Sequence, residues 1–399
     1  GLTMIDMING RYILIRGKAL ILATGGAGQI FGFTTYSETV TGDGLAMAYR
    51  AGLALKDMEF VQFHPTGLIP SGILMTEACR GEGGYLLNNK GERFMNVYAP
   101  SKLELAPRDM VSRSEMTEIE AGRGFPGPDG LDYLHLDLRH LGREKILERL
   151  PLIREVTIKH IGLDPIEKPI PIRAVAHYSM GGVHTDIKGH TQIENVWAAG
   201  EVACVSLHGA NRLGANSTAE CLVWGRVTGE EAARYCANSS AAEAPLEAAQ
   251  AREAWSKIEA LFSSTGTEDH YQIRAELRRT LDKNMGVFRT GEEMQAGLNK
   301  IRELKERYKY ISLKDKSLRY NTDLVRAIET GYMIDVAEVA TLGGLTRTES
   351  RGGHARRDYQ TRDDENWLKH TMAHFTSDGP KLDYIPVDIS MWKPVERKY

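Results

Sequence analysis

Apolar positions come in short runs at the start of the chain. Ile5 to Ile8 and Tyr12 to Ile15 read as strands on either side of a turn at Gly10. Ala19-Leu20-Ile21-Leu22-Ala23 is a continuous apolar run, as expected of a strand buried on both faces of an α/β sheet, and it stops at Thr24-Gly25-Gly26. Glycines at the carboxyl end of such a strand let backbone approach a ligand. Thr41-Gly42-Asp43-Gly44 then leads into Leu45-Ala46-Met47-Ala48-Tyr49, a helix start with Asp43 near its N-terminus.

From about residue 60 to 172 the pattern becomes irregular, with Pro65, Pro70, Pro100, Pro107, Pro126, Pro128 and Pro151 among short elements. This predicts an inserted α+β domain. The first style returns around His177: Val196-Trp197-Ala198-Ala199 is a short strand running into Gly200-Glu201, and Ser217 to Tyr235 reads as a long helix. The expected architecture is an α/β domain (1–59 and 173–236) interrupted by an α+β domain (60–172). An Ala/Ser/Glu-rich stretch over 237–249 separates it from a helical domain at 250–346, and a small C-terminal domain fills 347–399. Within the helical part, Thr290-Gly291-Glu292-Glu293 is a capping box ahead of Met294, Leu298, Ile301, Leu304 and Tyr308 at helical spacing. The segment RTESRGGHARRDYQTRDDENW from Arg347 is dense in arginine and acid. It fits either a solvated charged loop or a polar subunit contact.

Composition narrows the chemistry. Among 399 residues, 50 Lys+Arg stand against 53 Asp+Glu, a formal net charge of -3, which argues against binding nucleic acid or acidic membranes through bulk charge. Cys79, Cys204, Cys221 and Cys236 show no metal-ligand spacing and suit a reducing compartment. No run approaches the roughly 20 apolar residues a spanning helix needs, so association with a membrane would depend on a partner. The 40 glycines cluster in GGAG, GEGG, MGG and NRLGAN, a sign of backbone held close to a ligand.

Four segments set a histidine or arginine beside glycine and a hydroxyl. They are His64-Pro65-Thr66-Gly67, Thr76-Glu77-Ala78-Cys79-Arg80-Gly81-Glu82-Gly83-Gly84, His177-Tyr178-Ser179-Met180-Gly181-Gly182, and the stretch from His208 to Ser217. A small dicarboxylate needs two such clamps, because each carboxylate leaves water only when its oxygens are paired again. His64, Thr76, His177 and Arg212 are donors of the right kind, and no metal set, nucleophile elbow or Walker loop competes.

These segments, with Pro107-Arg108-Asp109, GEVACVSLHGANRLGANS, ESRGGHARRD, RDDENW and the terminal Glu396-Arg397-Lys398-Tyr399, resemble the flavoprotein subunit of succinate dehydrogenase and fumarate reductase along the whole chain. The resemblance implies FAD and hydride transfer between flavin and a dicarboxylate. In this reading His64, Thr76, His177 and Arg212 bind the carboxylates, Arg108 exchanges the proton, and Glu77 and Arg80 connect Arg108 to solvent. The matching cofactor positions are Gly25, Gly26, Asp43, His177, Tyr178, Glu201, Arg212, Asn216, Ser217 and Thr218. The resemblance further implies an iron–sulfur subunit as electron partner and membrane-anchor subunits. The location it implies is peripheral, on the cytoplasmic face of the membrane or the mitochondrial matrix side.

Two departures stand out. The strand–GxGxxG–helix unit is absent, as is the histidine segment that often carries covalently linked flavin, so the chain is expected to lack an N-terminal part of the flavin domain. Any such flavin link would use a histidine outside this chain. Thr218 stands where leucine is common in the family. L-aspartate oxidase, which is similar in RGEG, HGANRL and ESRG, is the alternative reading; a catalytically silent, partner-binding fragment is another.

Overall fold

The computed structural model describes residues 1–239 and 248–395, so most of the expected linker at 237–249 and the terminal Glu396–Tyr399 lie outside the described residues. An antiparallel hairpin opens the chain, β1 (Leu2–Asp6) with β2 (Arg11–Ile15). The first strand ends at Asp6, earlier than the apolar pattern implied. The Asp6 carboxylate accepts from Ile8 N at 3.0 Å and Asn9 Nδ2 at 2.6 Å, which turns the chain before Ile8 can extend it.

The apolar run at 19–23 contributes β3 (Leu20–Leu22), parallel to β10 (Val196–Ala198). Two strands far apart in sequence therefore end side by side, one at Thr24-Gly25-Gly26 and the other at Gly200-Glu201. A four-stranded antiparallel sheet of order β5 (Val61–Leu68), β8 (Ile170–Ser179), β7 (Leu134–Asp137) and β6 (Tyr85–Leu87) forms a second layer. Around it lie α2 (Ala78–Gly81), α3 (Met95–Tyr98), α4 (Arg108–Glu118), α5 (Arg143–Arg149) and α6 (Pro151–Ile161), over a separate core that includes Met75, Cys79, Leu86, Val111, Leu134 and Ile172. The sheet begins at Val61 and its strand β8 runs on to Ser179, past the bound of 172 expected for the insertion.

A mixed sheet of order β11 (Ala203–Cys204), β9 (Gly182–His184), β4 (Leu55–Lys56), β14 (Lys369–His374) and β15 (Lys381–Pro386) ties the C-terminal residues to the first domain, since β14 pairs with β4. A short parallel pair, β12 (Phe288–Arg289) with β13 (Ala355–Arg356), joins them to the helical part. The main core runs from α1 (Asp43–Arg50) through α9 (His270–Asn284), α10 (Gly291–Tyr308) and α11 (Thr322–Thr346), drawing in Leu45, Leu277, Leu298, Ile301 and Val336. α7 (Asn216–Asn238) and α8 (Ala248–Ser263) lie on its flank, and the short α12 (Asp364–Trp367) sits near the end of the chain. Thr290 caps α10 as expected, its Oγ1 accepting from Glu293 N at 3.2 Å and donating to the Glu293 carboxylate at 2.8 Å.

The arginine-rich segment is neither a solvated loop nor an open contact surface over its first half: Arg347, Glu349, His354 and Arg356 are all buried. Arg347 donates to Glu59 at 2.8 Å, to Glu349 at 2.9 Å and to the carbonyls of Trp367 and Lys369. Arg356 Nη1 donates to the carbonyls of Gly344, Leu345 and Arg347, each at 3.1 Å, and so closes the C-terminal end of α11. Composition suggested exposure; the charges are internal because each guanidinium meets helix-end carbonyls or a carboxylate. Arg347→Ala leaves Glu59 buried without its cation, while Arg351 still holds Glu349 at 2.8 and 3.0 Å, so about 3–5 kcal/mol of stability is expected to be lost, read as a lower urea midpoint.

Candidate active site

The candidate residues come together where β5, β8, the turn before α2, the start of α4 and the 208–215 loop converge. β5 and β8 are paired neighbours, which brings His64 and His177 to a ring separation of 5.1 Å. The ladder is irregular between His64 and Gly67, where Pro65 has no N–H to give. In that break Thr66 N donates to His64 Nδ1 at 3.2 Å. Nδ1 is therefore the acceptor and the proton of the neutral ring sits on Nε2, which is buried with no partner. Burial, then the charges of His177, Arg80, Arg108 and Arg212, hold His64 well below the usual histidine range. It presents a free N–H donor that does not titrate near neutrality.

His177 is bonded differently from His64. Arg212 Nη2 can only donate, and it meets His177 Nε2 at 3.1 Å, so His177 carries its proton on Nδ1 and shares it with Thr35 Oγ1 at 2.9 Å. Both ring nitrogens are engaged, and His177 orients the Arg212 guanidinium. Burial, followed by Arg108 and Arg212, pushes His177 down to about 3. Arg212 also lies over the Tyr178 ring, 4.4 Å from its centre, and donates to Leu213 O at 3.2 Å; its buried Nε has no partner.

Arg108 is the first residue of α4, a position where the helix dipole disfavours a cation. Glu77 offsets this, its Oε2 accepting from Arg108 Nε at 3.0 Å and Nη2 at 2.7 Å, while Gln62 Oε1 accepts from Nη1 at 3.0 Å. With three of the five guanidinium protons placed, the two that remain are the ones a substrate can use. Glu77 stands 4.0 Å from Arg80. Burial pushes its carboxyl up, but the Arg108 bond and the charges of Arg80, Arg108 and Arg212 prevail and hold it below the ordinary range. Of the two residues expected to reach solvent, only Glu77 does: its side chain is 44% exposed, and that of Arg80 is 0%. Thr76 begins the turn into α2, its carbonyl accepting from Cys79 N at 3.1 Å.

Sequence reasoning missed Gln62, whose Nε2 donates to Asn211 Oδ1 at 2.9 Å and Arg212 O at 2.6 Å while its Oε1 holds Arg108. Its place two residues before His64 on one strand was the available signal. Thr35 was missed as well, and so was Glu220, which accepts from the Tyr178 hydroxyl at 2.6 Å and meets His208 Nε2 at 2.8 Å.

Of the expected cofactor positions, Gly25, Gly26 and Glu201 follow the ends of β3 and β10, Asp43 begins α1 and Asn216, Ser217 and Thr218 begin α7. Gly25 has φ +76°, and a Cβ on Gly26 would fall 2.4 Å from Glu201 Oε1, so only glycine allows this approach. Glu201 accepts from Ser179 N at 2.8 Å and from the Tyr36 hydroxyl, and burial pushes its carboxyl up to about 7. Asp43 accepts from the Thr41 hydroxyl. α7 begins after Ala215, at φ +63°, with no side-chain cap; Asn216 N donates to Leu213 O at 3.4 Å and Thr218 N to Ala215 O at 3.2 Å, which leaves the Ser217 N–H to face an anionic or dipolar ligand. Close-approach glycines, two adjacent strand ends and an uncapped helix start fit a flavin dinucleotide. Among the described residues no group of three or more His, Cys, Asp or Glu could hold a metal.

This combination defines a flavin-dependent oxidoreductase with a cationic substrate pocket. A family model described as FAD binding domain matches residues 1–218, and one described as fumarate reductase flavoprotein C-term matches 274–399. The fumarate reductase flavoprotein subunit of Proteus vulgaris is 46% identical over 413 residues, covering 100% of this chain and 69% of its own length. The succinate dehydrogenase flavoprotein subunit of Rickettsia felis is 40% identical and 70% covered. An Escherichia coli quinol fumarate reductase structure superposes with a TM-score of 0.96 at 42% identity, over 99% of this chain and 70% of that one. The chain belongs to the family of fumarate reductase and succinate dehydrogenase flavoprotein subunits, and it binds FAD.

A histidine with a depressed folded-state pKa costs stability as pH falls from its unfolded value, about 6.5, towards the folded one. His177→Gln removes that linkage. The thermal midpoint of the variant is expected to fall less than that of the wild type between pH 6.5 and 4.

Proposed function

We propose that this chain interconverts fumarate and succinate, with Arg108 exchanging the proton. The observation that carries the reading is the set of buried, unsatisfied donors around one pocket, His64 Nε2 and Arg212 Nε, beside the two free N–H groups of Arg108. Left unpaired, buried donors cost about 1–3 kcal/mol each, and a ligand with carboxylate oxygens recovers that. Arg80, Arg108 and Arg212 outnumber Glu77, the carboxylate bonded among them, and the excess positive charge suits a dianion.

Bound FAD supplies the two-electron chemistry as hydride given to, or taken from, a carbon of the dicarboxylate. The chain's own residues do the rest. His64 Nε2, Thr76 and Arg212, the last oriented by His177, hold the carboxylates. Gln62 and Glu77 fix the Arg108 guanidinium from two sides. Negative charge that develops on the substrate during reduction is stabilised by Arg108, which delivers a proton to the adjacent carbon. Glu77, bonded to Arg108 and open to solvent, returns the proton. An arginine acid is unusual, since its ordinary pKa is above about 12; transfer is favourable here only while charge builds on the substrate.

An iron–sulfur subunit is the electron partner we assign, because the relatives are named as subunits and include a quinol fumarate reductase. Among the described residues no helix is long and apolar enough to cross a membrane, so attachment would come through such partners. The relatives reported above give no support to an aspartate oxidase or to a silent fragment.

Arg108→Lys retains a cation but loses the two-sided hold of Glu77 and Gln62. It is expected to bind a dicarboxylate within a few-fold of the wild type while kcat falls by roughly 10²–10⁴. Fumarate reduction by a reduced dye, with malonate binding measured alongside, checks this; full turnover in the variant would remove Arg108 from the proton step.

A further inference from the structure

Glu115 belongs to none of the machinery above. It lies seven residues after Arg108 on α4, so the two share a face two turns apart, with Ser112 between them bonded to Phe63 O at 3.2 Å. Its side chain is completely buried, and neither carboxyl oxygen has a hydrogen-bond partner. The surroundings are the apolar core of the inserted domain, including Cys79 and Val111. The charged groups that act on it are Arg80, from α2, and Arg173, from β8. Arg173 is already engaged, its Nη1 donating to Asp132 O at 2.6 Å. Arg80 is not: Nη1 donates to Glu104 O, while Nε and Nη2 are buried and unpartnered.

Arg80 is therefore coupled to two carboxyls, the half-exposed Glu77 at 4.0 Å and, electrostatically, the buried Glu115. Resting on the reading of Arg108, Glu77 and Arg80 as the proton route, we infer that Glu115 is a positioning residue: neutral, it leaves the Arg80 charge to Glu77, and ionised, it draws Arg80 away. Burial lifts its carboxyl well above the ordinary glutamate range, the attraction of Arg80 and Arg173 notwithstanding. The neutral form is thus the resting form. Once ionised, a wholly buried carboxylate would attract Arg80 through a low-dielectric interior, and a contact of 4.0 Å to a carboxylate in partial contact with water is the weaker competitor. Glu77 would then lose a cation that keeps it charged beside Arg108, and proton return would slow.

Glu115→Gln keeps the shape and cannot ionise. In the flavin-loaded protein, wild-type kcat for fumarate reduction is expected to decline with rising pH through an ionisation that the variant lacks, with KM changed less than about twofold. Stability gives a reading independent of activity. The folded-state pKa of Glu115 is raised, so the wild type loses stability as pH rises above the unfolded value of about 4.3, and the variant does not. The gap in thermal midpoint between E115Q and wild type should therefore widen upward from that pH. An active wild type whose kcat profile is shared by E115Q overturns the inference, and so does a midpoint gap that is constant with pH. A flavin-loaded wild type that reduces no dicarboxylate overturns the functional reading, and this role with it. Should E115Q fail to fold, Glu115→Met, equally unable to ionise, gives the same two readings.

Discussion

An excess of buried positive charge is the constraint on which the pocket depends. Arg80, Arg108 and Arg212 come together with Glu77 as the carboxylate bonded among them. Withdrawing guanidiniums from water is costly unless their protons are placed. The arrangement supplies that placement piecemeal: Gln62 for Arg108, the Leu213 carbonyl, His177 and the Tyr178 ring for Arg212, and the Glu104 carbonyl for Arg80. What is left over defines the ligand. Burial, reinforced by the same field, keeps His64 and His177 neutral, which makes His64 a hydrogen-bond donor and makes His177 an acceptor for Arg212.

Local pattern was enough to read the α/β strand ends, the inserted layer, the capping box on α10 and the candidacy of His64, His177 and Arg212; Arg108 and its link to Glu77 came from the family resemblance. The reason is that glycine at a strand end, a threonine cap and a cationic side chain beside glycine each state a local requirement. What pattern could not carry was which atom meets which. The free Nε2 of His64 follows from a break in the β5–β8 ladder, and the engagement of His177 follows from Arg212, 35 residues away. The segment after Arg347 was misleading for a related cause: composition measures polarity, whereas burial there is set by carbonyls at the end of α11 and by Glu59, 288 residues distant. Glu115 was invisible for the opposite reason. In the run RSEMTEIE it is one polar residue among several on a helix, and only the packing of α4 against β5 and β8 places it in the core.

The inserted layer and the first domain divide the chemistry between them. Glu77, Arg80 and Arg108, the groups proposed for the proton, come from the insertion, as does Tyr178 on β8; Arg212 and the glycine-lined strand ends come from outside it. The two sets meet closely. A Cβ on Gly214 would lie 3.1 Å from Glu77 Oε2 and 3.6 Å from Arg108 Nη2, and Gln62 bonds Arg108 with one end of its amide and the Arg212 carbonyl with the other. In the proposed reading the carboxylate clamp itself spans both parts, His64 and Thr76 from the insertion and Arg212 from outside it, so misplacing either part by an ångström would disturb binding and proton delivery together. The Gln62 amide, by bonding to both sides, couples binding to the geometry of proton delivery.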